Sequence, residues 1–230
     1  MTASPDPRAV MGAANNADWY AMMWDLRGLR YIRDAWGFRA IDPPMPYHGW
    51  VTAVHGAPVE QIARDHAATP DFAIKDASGV IDLSGAGLVH AFSATWLWHP
   101  SAAGRVPDGW ERITRPDDLA LWCDAWAVTS PVAGRQFPDE ILARADVAIF
   151  GRRAADGFGA GFIANRSVDC VGLSNSFGAG SRAAATQVCS SFSAGLPLVG
   201  YEQGDDLAEA CDCGWSAVGD LRVWVRKKSA

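Results

Sequence analysis

A short glycine-rich segment is the part of this sequence whose residue types could hold a ligand. It reads Asn175, Ser176, Phe177, Gly178, Ala179, Gly180 and lies between a β-prone run and an alanine-rich run typical of a helix. Closely spaced glycines let backbone N–H groups approach a phosphate, and the next helix offers the positive end of its dipole. Ser181 and Arg182 could add side-chain contacts. The segment therefore predicts an anion site, although such glycines also serve as ordinary turn residues.

The elements around this segment follow from hydrophobic periodicity and turn residues. A helix after Thr114 carries Leu119, Trp122, Cys123 and Trp126 on one face, and Gly214 ends the last helix. The predicted strands are 110–113, 147–152, 158–165, 169–177, 196–201 and 221–226. The predicted helices begin at 114 and span 138–144, 181–192 and 205–213.

The N-terminal half repeats much of this order. Residues 1–14 are small and polar and predict a loose leader, after which Asn15 or Asn16 caps a helix that ends at Gly28. A hairpin, a strand, a helix and two strands follow at 29–41, 49–54, 58–67, 72–75 and 88–98. Because the order matches while residue identity is slight, we predict an internal duplication with its boundary in the turn-rich stretch 104–109.

The order of elements after Trp110 resembles that of the GNAT acetyltransferase superfamily, whose mixed sheet splays open around acetyl-CoA. In that comparison 169–177 is the fourth strand, 196–201 the fifth, and "DDLAEACDCGW" resembles the family's last helix. The resemblance implies an α+β fold of two GNAT-like halves, each a mixed, partly antiparallel sheet flanked by helices. Residues 1–104 would be a degenerate GNAT-like half and 105–230 the GNAT-like acyltransferase domain.

The resemblance also implies a coenzyme site, because the glycine segment is similar to the family's Q/R-x-x-G-x-G/A signature with Asn175 in place of the long polar residue. The fourth strand would bond the pantetheine arm through its backbone, and Gly172 predicts a bulge or a close backbone approach there. The expected cofactor is acetyl-CoA or another acyl-CoA. Its predicted binding residues are Val171, Gly172, Leu173, Ser174, Asn175, Gly178, Ala179, Gly180, Ser181 and Arg182.

The catalytic groups depart from the family's pattern. The tyrosine acid of the family commonly stands four residues before the glycine that ends the last helix, and counting back from Gly214 gives Ala210. Tyr201 and Glu202, at the end of the fifth strand, are the nearest groups able to act as acid and base. They could equally be a strand-end pair that bonds the following loop.

The lack of several other motifs argues against several classes of protein. No Walker loop, dinucleotide fingerprint or serine nucleophile elbow is present, and Cys211 and Cys213 would point to opposite sides of a helix, so no metal site is predicted. The net charge of -6 offers no basic stripe for nucleic acid. The sequence lacks a membrane-length apolar run and a signal peptide, and its odd cysteine count suits a reducing compartment. We predict a cytoplasmic protein, monomeric or homodimeric.

The sequence therefore predicts transfer of an acyl group, with acetyl as the first expectation, to the amine of a small molecule. Three alternatives stay open: a GNAT-like binding or regulatory protein without catalysis, another acyl-CoA reaction, and carrier-protein acyl handling. The substrate is expected in an aromatic cleft between the halves. Its candidate lining residues are Trp19, Trp24, Tyr47, His48 and Trp98.

Overall fold

A computed structural model describes residues 5–42, 50–52, 59–68, 73–101, 106–130 and 135–226. Its helices are α1 (Pro7–Asp25), α2 (Val59–Ala68), α3 (Pro116–Ala127), α4 (Arg182–Ser193) and α5 (Gly204–Asp212). Its strands are β1 (Tyr31–Asp34), β2 (Gly37–Ala40), β3 (Trp50–Thr52), β4 (Ala73–Asp76), β5 (Leu88–His99), β6 (Trp110–Arg112), β7 (Val147–Ala154), β8 (Gly157–Arg166), β9 (Val171–Phe177), β10 (Leu198–Glu202) and β11 (Ser216–Arg226). Two short 3₁₀ helices cover Ser84–Ala86 and Asp139–Ala143.

The first helix begins earlier than predicted. The Asp6 carboxylate accepts a hydrogen bond from the Arg8 backbone N–H at 2.8 Å, and Pro7 occupies the first turn, so α1 starts at Pro7. The prediction of a loose leader over 1–14 is therefore wrong from Pro7 onward. The helix starts earlier because Asp6 followed by Pro7 is as good a start signal as Asn15 or Asn16. Asn15 and Asn16 instead lie buried within α1.

The chain divides into two compact units. Unit 1 comprises Met1–Leu97, Tyr201–Gln203 and Ala217–Ala230, and unit 2 comprises Trp98–Gly200 and Gly204–Ser216. The predicted halves, 1–104 and 105–230, remain a prediction. The units differ from them chiefly in the last strand, because β11 pairs antiparallel with β4 and so joins unit 1.

Unit 1 contains a mixed sheet in the strand order β1-β2-β3-β4-β11-β5. The predicted hairpin is present as β1 and β2, and the connection from β3 through α2 to β4 is parallel. Helix α1 buries Trp24 against Phe38 of β2, with ring centroids 4.9 Å apart. A second apolar cluster contains Ile62, Ile74, Ile81, Leu83, Leu88 and Trp224.

Unit 2 contains the strand order β10-β9-β8-β7-β6. Strands β6 to β9 pair antiparallel in succession, and the connection from β9 through α4 to β10 is parallel. Helix α3 packs over β8, and its Trp122 donates the indole N–H to the Phe150 carbonyl of β7 at 2.9 Å. A Cβ at Gly161 would lie 2.3 Å from that indole nitrogen, so glycine is needed where the tryptophan crosses the strand.

The predicted fold class is confirmed: each unit has a mixed, partly antiparallel sheet, and helices flank the strands. Both units also run helix, three antiparallel strands, helix, parallel strand. This shared order agrees with the proposed duplication, which remains a prediction. Among the described residues, none of the helices combines the length and the apolar character that a membrane span requires.

Candidate functional site

The site in unit 2 begins where two parallel strands stop pairing. Leu198 of β10 pairs with Val171 of β9, and Val199 pairs with Gly172; within the described residues no further pair joins the two strands. A Cβ at Gly200 would lie 2.9 Å from the Leu173 carbonyl oxygen, so glycine is needed at this point of β10. Beyond Gly172, the strand that β9 pairs with among the described residues is β8.

The bulge in β9 falls later than Gly172. Ile163 of β8 pairs with Ser174 and Gly161 pairs with Phe177, so β9 has one extra residue in this interval. Asn175 takes a left-handed conformation there, with φ of 53°. Gly172 pairs regularly with both neighbouring strands, so a bulge at that residue is wrong. Asparagine is among the non-glycine residues that best tolerate positive φ, which is the sequence signal for this bulge.

The two glycines of the loop differ in how closely other atoms surround them. Gly178, at φ of 92°, lies so close to β8 that a Cβ would be 2.5 Å from the Ala160 Cβ and the Gly159 carbonyl oxygen. Gly180, at φ of 69°, has nothing within 4 Å of the same position. Packing therefore explains Gly178. Gly180 lies next to open space.

The loop ends at the N-terminus of α4. The Ser181 hydroxyl donates to the Gly178 carbonyl at 2.5 Å and so closes the loop on itself. Arg182, the first helical residue, is 8% exposed, and its backbone N–H donates to Glu209 Oε1 at 2.9 Å. The guanidinium carbon of Arg182 lies 5.8 Å from the centre of the Trp215 ring. A carboxylate of α5 thus lies at the positive end of α4.

A cavity of about 260 Å³ opens beside this loop. Its ionisable lining groups are the carboxylates of Asp206 and Glu209 and the guanidinium of Arg182. The lining residues are Thr129, Ser176, Phe177, Gly178, Ala179, Ser181, Arg182, Ala185, Asp206 and Glu209. The open space at Gly180 and the helix N-terminus suit a diphosphate, whereas the two carboxylates oppose one. An anion at this helix start would have to displace the Glu209 carboxylate from the Arg182 amide.

The last helix ends as the sequence predicts. Gly214 adopts a left-handed conformation, and the Trp215 N–H returns to the Ala210 carbonyl at 3.1 Å. Ala210 is fully buried. Because alanine carries no titratable group, this position supplies no acid, and other residues must supply one if the site is catalytic.

The two predicted catalytic residues lie at the end of β10 and belong to unit 1. Tyr201 and Glu202 are both half-buried. The phenol oxygen of Tyr201 accepts a hydrogen bond from Lys75 Nζ at 3.0 Å, and Lys75 also donates to Asn16 Oδ1 at 2.9 Å. The Tyr201 ring meets Trp96 edge to face, with centroids 5.5 Å apart.

Sequence reasoning missed Lys75, which is 1% exposed in β4. Its Nζ lies 4.3 Å from the centre of the Tyr201 ring and 5.2 Å from that of Tyr20. Lysine is rarely buried unless its amino group is bonded, so a buried lysine marks a place where polar partners converge. The available signal was a lysine inside a strand whose four residues are all buried.

The structure describes three of the five predicted substrate-lining residues. Trp19 and Trp24 are buried in α1 of unit 1, where Trp24 is 2% exposed, and Trp98 is half-buried in unit 2. Tyr47 and His48 lie outside the described residues. Burial favours a packing role for Trp24. A substrate role for all five stays a prediction.

Comparisons with solved structures identify the fold. A GCN5-related N-acetyltransferase from Kribbella flavida aligns over 95% of this chain and 97% of its own, at 14% identity and a TM-score of 0.62. A protein described as a GNAT-family acetyltransferase from Novosphingobium aromaticivorans aligns over 92% and 96%, at 14% identity and a TM-score of 0.57. The N-myristoyltransferase of Saccharomyces cerevisiae, with bound myristoyl-CoA, aligns over 71% and 55%, at 7% identity and a TM-score of 0.50.

The chain therefore has the fold of the GNAT superfamily, as the sequence predicted. No family model matches the sequence, and no curated protein matches it either. At such low identity the likeness establishes the fold alone, so function has to be argued from the residues of the site.

Proposed function

We propose that this protein is an acyl-CoA-dependent N-acyltransferase that acts on the amine of a small molecule, with acetyl-CoA as its first expected donor. One observation carries the proposal. Strands β9 and β10 stop pairing after Val199 and Gly172, and β9 then runs directly into the glycine loop and the start of α4. Backbone groups of β9 and of the loop thus follow one another beside an open cavity.

The residues of unit 2 divide the binding task. The backbone of Leu173 and Ser174, past the last β10 pair, would bond the pantetheine arm. The loop from Gly178 to Gly180 and the first amides of α4 would hold the diphosphate once the Glu209 carboxylate has left the Arg182 N–H, because backbone N–H groups and the helix dipole both favour an anion. Gly172 pairs with both β8 and β10 and would hold β9 in place next to these residues.

The chemical groups are Tyr201 and Glu202. Acyl transfer forms a bond from the amine nitrogen to the acyl carbon and breaks the carbon–sulfur bond of the thioester. Glu202 would take the proton that the amine loses, and Tyr201 would donate its phenolic proton to the departing sulfur. Because Lys75 donates to the phenol oxygen, the phenol's own hydrogen is available for that transfer.

A second function is favoured by two features of α5. Ala210 cannot act as an acid, and Glu209 occupies the first amide of α4. Both features suit a GNAT-shaped protein that binds a ligand without transferring an acyl group. In that case the cavity would serve recognition, and Tyr201 and Glu202 would be strand-end contacts.

Thermal denaturation with acetyl-CoA, free CoA and a long-chain acyl-CoA tests the coenzyme site. A ligand at 100 times its dissociation constant should stabilise the fold by about 2.7 kcal/mol. Stabilisation together with thiol release in the presence of primary amines supports the enzyme. Stabilisation without any thiol release supports a protein that binds CoA without transfer, and the absence of a shift with all three compounds refutes the acyl-CoA site.

Tyr201→Phe separates catalysis from binding. Loss of a positioned acid should lower kcat about 100-fold or more, while the thermal shift with acetyl-CoA stays as in the parent protein. Tyr31→Phe is the matched control, since Tyr31 also carries a bonded hydroxyl in unit 1, to Asp25 at 3.2 Å, but has no part in the proposed reaction. Equal kcat values for both variants would remove Tyr201 from the mechanism.

A further inference from the structure

We propose that Glu209 is an internal competitor for the diphosphate at the start of α4 and thereby sets the affinity of this site for coenzyme A, an inference that rests on the proposed function. The carboxylate oxygen of Glu209 accepts from the Arg182 N–H at 2.9 Å. That N–H is the first amide of the helix that the diphosphate would use. Carboxylate and diphosphate are both anions, so they compete for one donor and for one helix dipole.

The position of Glu209 allows the exchange. Glu209 belongs to α5, separated from Arg182 by 27 residues, and its half-exposed side chain lines the cavity. A swing of the side chain toward solvent frees the amide without moving either helix. The ligand therefore has to displace a charged hydrogen bond and accept a carboxylate nearby, which weakens its binding.

Asp206 provides an internal comparison for this effect. It lies three residues before Glu209 on the same helix, is exposed, and lines the same cavity. Replacing Asp206 removes one negative charge from the cavity but leaves the bond between Glu209 and Arg182 in place. The two acids thus separate direct competition from general repulsion.

Calorimetric titration of the full chain with free CoA tests the proposal. Glu209→Gln and Glu209→Ala should bind CoA about tenfold more tightly than the parent protein, whereas Asp206→Asn should change the dissociation constant less than threefold. Pantetheine, which lacks the diphosphate, should bind all four proteins equally. Circular dichroism confirms that each variant is folded.

The remaining outcomes distinguish failure of this inference from failure of the proposed coenzyme site. If the parent protein binds CoA and the folded Glu209 variants bind it no more tightly, or bind pantetheine more tightly as well, Glu209 is not a competitor and only this inference fails. If no folded protein of the series binds CoA at millimolar concentration, the coenzyme site itself is refuted and the inference falls with it.

Discussion

Two strand–helix–strand connections of the same topology end in different interiors. In unit 1, β3, α2 and β4 form a parallel connection with two registered pairs, the second joining Val51 to Lys75. In unit 2, β9, α4 and β10 do the same, the second pair joining Gly172 to Val199. In the second strand of the connection, unit 1 has Lys75 at this pair, and its amino group is hydrogen-bonded. Unit 2 has Val199 at the corresponding pair, and Gly200 is the next residue.

The difference indicates that a shared topology leaves the side chains around the connection free to differ, and any ligand site depends on those side chains. In unit 1, Lys75 donates to Asn16 of α1, and its Nζ lies over the rings of Tyr20 and Tyr201. In unit 2 small residues leave a cavity beside the loop.

The largest expected effect concerns Gly178 in unit 2. Gly178→Val places side-chain atoms against the Gly159 carbonyl and Ala160 and strains a positive φ, so it should lower the free energy of unfolding by about 3 kcal/mol or more. Gly180→Ala, with free space around it, should cost only about 1 kcal/mol. Urea denaturation measures both, and equal stabilities would mean that the loop is not packed on β8 as described.

The second effect concerns the buried Lys75 of unit 1 and its hydrogen-bond partners. Lys75→Ala should cost about 3 kcal/mol, because it leaves a cavity and deprives Asn16 of its partner. Lys75→Met should stay within about 1 kcal/mol of the parent protein, since methionine fills the volume and removes the cost of burying a charge. A Met variant as unstable as the Ala variant would show that the hydrogen bonds, and not the filled volume, stabilise this interior.

The smallest effect is a pH dependence that arises in unit 2. Burial lowers the pKa of His99, whose ring lies 5.4 Å from Trp215. A base with a lowered pKa in the folded state contributes stability above its unfolded pKa of about 6.5, and that contribution is lost as the pH falls toward the folded value. The free energy of unfolding should therefore decline between pH 7 and pH 5. The decline should be smaller in His99→Phe, and an unchanged decline would exclude His99 as its source.

The sequence predicted the parts of the fold that local patterns encode. The alternating runs and turn residues located the hairpin of β1 and β2, the strands around the glycine loop, and the glycine end of α5. The early start of α1 was also encoded locally, by Asp6 and Pro7, but two asparagines further along gave a competing helix signal. The bulge was predicted at Gly172 because glycine within a strand often marks one, whereas the left-handed residue is Asn175.

The contacts that define the site could not be predicted in this way. Lys75 meets Tyr201 across 126 residues and Asn16 across 59, and Glu209 reaches Arg182 across 27. Such meetings depend on the path of the sheet and not on any local pattern. The family signature located the loop, but it gave no sign that a carboxylate of the same chain would bond the first amide of α4.

Titration of free CoA into Gly180→Asn and Gly195→Asn tests the central claim most directly. Both glycines have positive φ and no atom within 4 Å of an added Cβ, and asparagine tolerates that backbone conformation, so the two substitutions are matched in strain. Gly180 belongs to the loop, whereas Gly195 follows the far end of α4. We predict that Gly195→Asn binds CoA like the parent protein and that Gly180→Asn loses at least tenfold in affinity. Equal affinities would contradict a diphosphate site at this loop.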